Sequence, residues 1–234
     1  MRLLIKFKPE QNIPYNEISK FHIQGFIYNL LKDEMIFRNI HERGGFKFFN
    51  FSNIFPIGDY TIDKSKNLII SSPRSSLIGY LYIRLVNMDK ILLNKYNMVV
   101  DNVKLIKGNK FHNNTLITAT PIVVYQDNNC YSLRDNNNLN YFFNRIRDNI
   151  TKKYNAYYHT DLELTEDLFN DFELNREVVI PLSHGPNNFN IIGSIWKFKF
   201  NDEIKHNPKL LNFIYDTGLG EKNSLGFGFL NFIK

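Results

Sequence analysis

The chain has one cysteine, Cys130, one tryptophan, and no apolar run long enough to cross a membrane. A lone cysteine excludes an intrachain disulfide and any zinc site built from several cysteines, and it fits a reducing cytoplasm. A membrane helix needs about eighteen or more consecutive apolar residues, so no membrane-spanning protein and no membrane partner is expected. Met1 and Arg2 lead straight into the strand-like Leu3-Leu4-Ile5-Lys6-Phe7, without an apolar leader core or a small-residue cleavage site, so no signal peptide is expected. A Gly-x-Ser-x-Gly elbow is also missing. The histidines, His22, His41, His112, His159, His184 and His206, include no pair at ligand spacing. Neither a metal nor a cofactor is expected.

What is present is a large stock of rings. The 234 residues include 21 Phe and 13 Tyr, and 43% of the chain is apolar, enough for a packed core rather than a disordered chain. Lys and Arg outnumber Asp and Glu by 29 to 23, a balance that favours an anionic partner. With metal and thiol chemistry set aside, acid–base work by histidine at neutral pH is the remaining catalytic option.

Hydrophobic periodicity predicts a strand over residues 2–8 and then a helix from Asn16 to Lys32, with Ile23, Phe26, Ile27, Leu30 and Leu31 on one arc. Tyr28 projects just off that arc. Strands are expected at Phe46–Phe51, Asp59–Ile62, Leu68–Ser71 and Met98–Ile106, with a helix from Ser75 to Val86. That order is strand, helix, strand, strand, helix, strand, the ferredoxin-like sequence of elements. The polar stretch around Gly108 to Asn114 marks a break, after which the pattern restarts. Strands at Leu116–Thr120 and Ile122–Tyr125, a helix from Asn138 to Ala156, strands at Leu162–Leu164, Val178–Ile180 and Ile191–Phe200, a helix at Pro208–Tyr215 and a last strand follow. The expected fold is α+β, two tandem ferredoxin-like (RRM-like) domains of residues 1–111 and 112–234, with a glycine-rich loop near the C-terminus.

That loop, Thr217 to Leu230, carries two Gly-x-Gly pairs, Gly218 with Gly220 and Gly226 with Gly228, around Glu221, Lys222, Asn223 and Ser224. It stands between a helix and a strand, the reverse of a dinucleotide fingerprint, and Lys222 lacks the Gly-Lys-Ser/Thr ending of a Walker loop. Glycine-lined amides open to a phosphate are one reading, and a tight turn before a closing strand is the other. Basic residues interleave with aromatics at Lys104, Lys107, Lys110 and Phe111, at Arg145, Arg147, Lys152, Lys153 and Tyr154, and at Lys197, Phe198 and Lys199. Each set reads equally as a solvated face.

His41-Glu42-Arg43-Gly44-Gly45-Phe46-Lys47 would bring an imidazole and an ammonium to one rim of the first sheet. RNA can be cut without metal when its own 2′-hydroxyl attacks the adjacent phosphate. That step needs a proton acceptor, a proton donor to the 5′-oxygen, and positive charge on the phosphorane.

On Met1 to Ile5, Ile13 to Asn16, Gln24 to Asn29, Ile40 to Glu42 with Lys47 to Phe49, Thr118 to Ile122, and above all Gly218 to Phe229, the chain resembles the CRISPR-associated repeat-processing endoribonucleases, the sixth Cas family within the RAMP superfamily. The resemblance runs from end to end. It implies two ferredoxin-like halves, CRISPR repeat RNA as partner and substrate, and a metal-free cut leaving a 2′,3′-cyclic phosphate and a 5′-hydroxyl. By position in matching motifs, Tyr28, His41 and Lys47 resemble that family's catalytic triad: His41 for proton transfer to the 5′-oxygen, Tyr28 for the 2′-hydroxyl, Lys47 for the phosphorane. His22 is the rival acid. Gly218, Gly220, Lys222, Asn223, Ser224, Gly226 and Gly228 are the candidate RNA-binding residues. Effector-complex proteins and a second copy of the chain are further candidate partners. Two other classes fit the same residues: a non-catalytic repeat-binding subunit of an effector complex, and a small ferredoxin-like regulatory module.

Overall fold

The computed structural model describes residues 1–40, 42, 44–106 and 115–232. The expected boundary between Phe111 and His112 lies outside the described residues, as do Lys107, Lys110 and Phe111.

In β1 (Arg2–Pro9), Leu3, Ile5 and Phe7 are fully buried while Lys6 points to solvent, the two-residue alternation of a half-buried strand. It is followed by α1 (Lys20–Leu31), β2 (Asn50–Phe51), β3 (Lys66–Ser71), α2 (Ser75–Val86), β4 (Lys90–Leu93) and β5 (Tyr96–Ile106). The sheet order is β2-β3-β1-β5-β4, every pair antiparallel. Strip away β4, a hairpin partner added at the edge, and the order is that of a ferredoxin-like sheet. Ile23, Ile27, Leu30 and Leu31 of α1, with Leu77, Ile78, Leu81 and Leu85 of α2, cover it. Each such side chain contributes about 1.5–3 kcal/mol by leaving water.

The second half repeats the plan with β6 (Thr115–Thr118), a small hairpin of β7 (Tyr125–Gln126) and β8 (Asn129–Cys130), α3 (Leu133–Asn136), α4 (Leu139–Tyr158), β9 (Phe169–His184), β10 (Asn187–Phe200), α5 (Asp202–Lys205), α6 (Pro208–Thr217) and β11 (Leu230–Phe232). The order β11-β6-β10-β9 is again ferredoxin-like and antiparallel. Local chemistry sets the helix ends. Asn138 accepts the Tyr141 amide at 2.9 Å to start α4. Asn207 accepts the Leu210 amide at 3.1 Å ahead of Pro208 in α6. The core of this half is largely aromatic, with Trp196 stacked on Phe142 and Phe198.

Several expected elements differ. Asp59–Ile62 is a loop touching Ile13 through one bridge at Tyr60. Its neighbouring carbonyls, those of Pro56 and Gly58, are taken by the ammonium of the buried Lys66 instead of by a strand. Leu162–Leu164 is not a strand because the Asn155 carboxamide takes the place of a partner: it accepts the Leu162 amide at 2.7 Å and donates to the Leu162 carbonyl at 2.9 Å. Of the stretch Phe46–Phe51, only Asn50 and Phe51 pair as strand. Conversely β9 runs sixteen residues, far beyond Val178–Ile180, because it pairs with β10 along nearly its whole length. Its polar residues Asp171, Glu173, Asn175 and Glu177 hide it from a hydrophobicity reading.

Among the described residues, contacts near the N-terminus and α1 help join the halves. The N-terminal ammonium pairs with Asp216. Arg2 donates to the carbonyls of Tyr215 (2.8 Å) and Leu230 (2.7 Å) and lies over the Tyr215 ring. A small apolar cluster of Val123, Leu182, Ile191, Leu225 and Phe227 receives Phe21 from α1.

Candidate active site and glycine loop

Tyr28 sits one helical turn past Gln24 on α1, so both side chains leave the same face. That face meets the glycine loop. Gln24 donates to the Ser224 carbonyl at 2.8 Å, which sets the Ser224 side chain beside the Tyr28 hydroxyl. The Tyr28 ring stands edge-on to Phe49, centroids 5.6 Å apart. Burial raises the Tyr28 hydroxyl above its ordinary pKa, the neighbouring serine offsetting part of this. At neutral pH the group is a neutral phenol, suited to orienting a hydroxyl rather than to deprotonating it.

Lys47 reaches the same place by another route. At Gly45 the chain turns with a φ of 78°, and Phe48, also at positive φ, leaves the first sheet to pack on Tyr157 and Phe213 of the second core. Arg74 covers the Phe48 ring, and the Ser72 hydroxyl holds the Phe48 carbonyl at 2.6 Å. The displaced segment carries Lys47 into a cleft of about 290 Å³ lined by residues 45–49, Asn149, Lys153, Thr217 and residues 220–224. Partial burial pulls the Lys47 ammonium below its ordinary pKa. Thus Lys47 lines the cleft, and Tyr28 touches it through Ser224 and Phe49. His41 lies outside the described residues.

His22 is otherwise engaged. Its Nδ1 accepts the Ser19 amide at 3.1 Å, capping α1, and burial chiefly lowers its pKa. Protonating Nδ1 would break that bond, which weakens His22 as an acid.

The glycine loop corrects one expectation. Its glycines are buried, and three of their amides are taken up within the protein rather than open to a phosphate: Gly218 donates to the Ile214 carbonyl, Gly226 to Asn223, and Gly228 to Pro121 at 2.7 Å. Glycine is needed for packing and conformation. Gly226 and Gly228 have φ of 75° and 65°, and an added Cβ would strike the Phe51 ring in the first case and the Leu219 carbonyl in the second. Of the candidate binding residues, only Lys222, Asn223 and Ser224 retain appreciable exposure. Lys222 is the most open, its ammonium 5.3 Å from the centre of the Tyr125 ring.

Side chains from both halves hold the loop shut. Asn50 of β2 donates to the carbonyls of Thr217 (3.3 Å) and Phe227 (3.0 Å). Asn223 ties the loop across itself, reaching Leu219 and Phe227, both at 3.0 Å. Lys20 of α1 donates to the Gly226 carbonyl at 2.8 Å, and Lys153 of α4 to the Gly218 carbonyl at 2.8 Å. Burial draws both ammonium groups down to about 7. Sequence reasoning missed Lys20 and placed Lys153 on a basic surface, but a signal existed. Lys20 shares the arc of Ile23 and Ile27, and Lys153 ends the stripe Phe142, Ile146, Ile150. A lysine on an apolar stripe predicts a buried ammonium and carbonyls to receive it. At the other basic clusters, Phe198 is fully buried, so no ring is displayed between Lys197 and Lys199.

Comparison with known proteins decides the family. A profile described as CRISPR associated protein Cas6, C-terminal, matches residues 102–232. A "CRISPR-associated endoribonuclease Cas6 2" of Methanocaldococcus jannaschii is 38% identical over the full length of both chains. The chain belongs to the Cas6 family. A solved structure named "CRISPR associated protein Cas6" superposes with a TM-score of 0.73 at 25% identity, covering 100% of this chain and 99% of the other. A second, "An RAMP protein binding different RNA substrates", has the same fold, with a TM-score of 0.73 at 20% identity and full coverage of both chains. In this Cas6 chain the described residues contain no group of three or more His, Cys, Asp and Glu placed to hold a metal ion, and no helix long and apolar enough to cross a membrane. A larger and mostly apolar groove, about 770 Å³, runs between α1 and β9 past Tyr15, Ile57, Tyr60 and Arg176 and includes neither Tyr28 nor Lys47.

Proposed function

We propose that this chain is the endoribonuclease that cuts the repeat of precursor CRISPR RNA, with the 290 Å³ cleft as its cutting site. The observation that carries the reading is the meeting of Tyr28, Lys47 and the glycine loop around one cleft, although 19 residues separate the first two and the loop lies near the far end of the chain. The 2′-oxygen forms a bond to phosphorus while the bond from phosphorus to the 5′-oxygen breaks, giving a 2′,3′-cyclic phosphate and a 5′-hydroxyl. Tyr28 orients the attacking hydroxyl, whose proton passes to solvent water as its oxygen bonds to phosphorus. Lys47 offsets the charge gathering on the phosphorane, a type of stabilisation worth about 3–4 kcal/mol per donor. His41 delivers the proton to the leaving oxygen. Lys222, Asn223 and Ser224 form the loop's contact with the RNA backbone, and the two tandem domains are residues 1–111 and 112–234.

The test is single-turnover cleavage of repeat RNA from the same genome, with and without excess EDTA, followed by analysis of the ends. Cleavage once per repeat, unaffected by EDTA, with the ends named above, is expected. Tyr28→Phe and Lys47→Ala should each slow the cut about 10–1,000-fold with binding largely kept. His41→Ala should slow it more than His22→Ala. Tight binding without any cut would instead make the chain a repeat-binding subunit.

A further inference from the structure

Lys153 borders the cleft, yet it is only 3% exposed, and no step of the proposed reaction uses it. Its ammonium donates to the Gly218 carbonyl at 2.8 Å and to Asn223 Oδ1 at 2.9 Å. Gly218 is the C-cap of α6, so its carbonyl lies at the negative end of a helix dipole, which suits a cation. The nearest carboxylate acting on Lys153 is Glu221, itself bound by Arg145 at 3.0 Å. A buried cation without a counterion of its own costs several kcal/mol, and a methionine of similar length would fill the space without that cost.

The bonds run onward. Asn223 opens a short 3-10 turn, Asn223–Leu225, with Ser224 at its centre. Ser224 is the residue that Gln24 holds by its carbonyl and that meets the Tyr28 hydroxyl. Lys153, Asn223, Ser224 and Tyr28 therefore form one connected path from α4 of the second half to α1 of the first.

We propose that Lys153 is a positioning residue for the cut: by fixing Asn223 and the end of α6 it sets Ser224 against the Tyr28 hydroxyl, and so sets the hydroxyl toward the RNA. This rests on reading the cleft as the cutting site. The charged groups around Lys153 are Glu221, Arg145, Lys47 and Lys222. None replaces its two bonds.

Lys153→Met tests it, with Lys153→Gln as the second variant should the first not fold. Folded Lys153→Met is expected to bind repeat RNA within about threefold of the parent while its single-turnover rate falls about tenfold or more. In the Tyr28→Phe background the same change should cost less than about threefold, because the hydroxyl it positions is already gone. A rate equal to the parent's, a loss confined to binding, or losses that multiply fully with Tyr28→Phe would overturn the proposal. If the parent protein cuts no repeat RNA, the functional reading fails separately. The ring resonances of 13C-labelled Tyr28 then decide: displacement in Lys153→Met upholds the positioning role, and an unmoved Tyr28 ends it.

Discussion

Lys20 and Lys153 grip the two ends of one loop, one lysine from each half of the molecule, and they do so in different surroundings. Lys20 lies near the rings of Phe227, at 4.9 Å, and Phe51, at 5.8 Å, and its other partner is Asn53, on the side of the large apolar groove. Lys153 faces the cleft, and its other partner is Asn223, next to Ser224 and so to Tyr28. The first lysine is an anchor between two hydrophobic surfaces. The second is an anchor whose far end is tied to the proposed chemistry. Identical residues with similarly lowered pKa values are thus expected to have separable effects, one on holding the halves together and one on the rate.

The largest effect should come from removing what both lysines hold. Gly228→Ala places a methyl group against the Leu219 carbonyl, and Gly226→Ala places one against Phe51, each at a φ that alanine adopts reluctantly. Each should cost about 3 kcal/mol or more, seen as a fall in the denaturation midpoint and an early loss of Phe and Tyr burial. Should either variant fold normally and only lose RNA affinity, the loop would be a phosphate cradle after all. Next, Asn50→Leu removes the two side-chain bonds to the Thr217 and Phe227 carbonyls and should cost about 2–3 kcal/mol by urea unfolding.

The pH dependence sharpens the comparison directly. Both lysines have folded-state values of about 7, well below the unfolded value. The unfolded chain therefore binds more protons between pH 7 and 9, and these two groups make stability rise with pH there, by up to about 1.4 kcal/mol per pH unit for each. Below pH 7 the cost of burying both charges is felt in full. Lys20→Met and Lys153→Met should each flatten that rise by a similar amount in unfolding titrations, while only Lys153→Met markedly slows cleavage. Equal effects on the rate would erase the distinction between the two anchors. The smallest effect on stability is expected at Lys222, which is exposed: Lys222→Ala should change it by less than about 0.5 kcal/mol. It should weaken RNA binding and lower the salt slope by about one unit, as the loss of one phosphate contact does.

Much of this was legible in the chain itself. Alternation in Leu3, Ile5 and Phe7, the arc Ile23, Phe26, Ile27 and Leu30, and Pro208 ahead of a glycine-ended helix all point to the ferredoxin-like order, because periodicity and capping are local properties. The same locality explains the failures. β9 is held by its pairing with β10, and the Asn155 carboxamide keeps Leu162–Leu164 out of any sheet, neither of which a window of neighbouring residues contains.

The sequence by itself determined the two-sheet plan, the glycine loop between a last helix and a last strand, and the residue types able to cut RNA. Only the tertiary structure decided what the glycines are for and where the loop sits. Hydrogen bonds across distances of 65 residues, from Lys153 to Gly218, and of 177, from Asn50 to Phe227, close carbonyls of the loop on the protein itself. Another, across 200 residues from Gln24 to the Ser224 carbonyl, ties the loop to the face of α1 that carries Tyr28. A buried donor must find an acceptor wherever the fold supplies one: for Lys153 it lies in the same half, and for Lys20 and Asn50 in the opposite half.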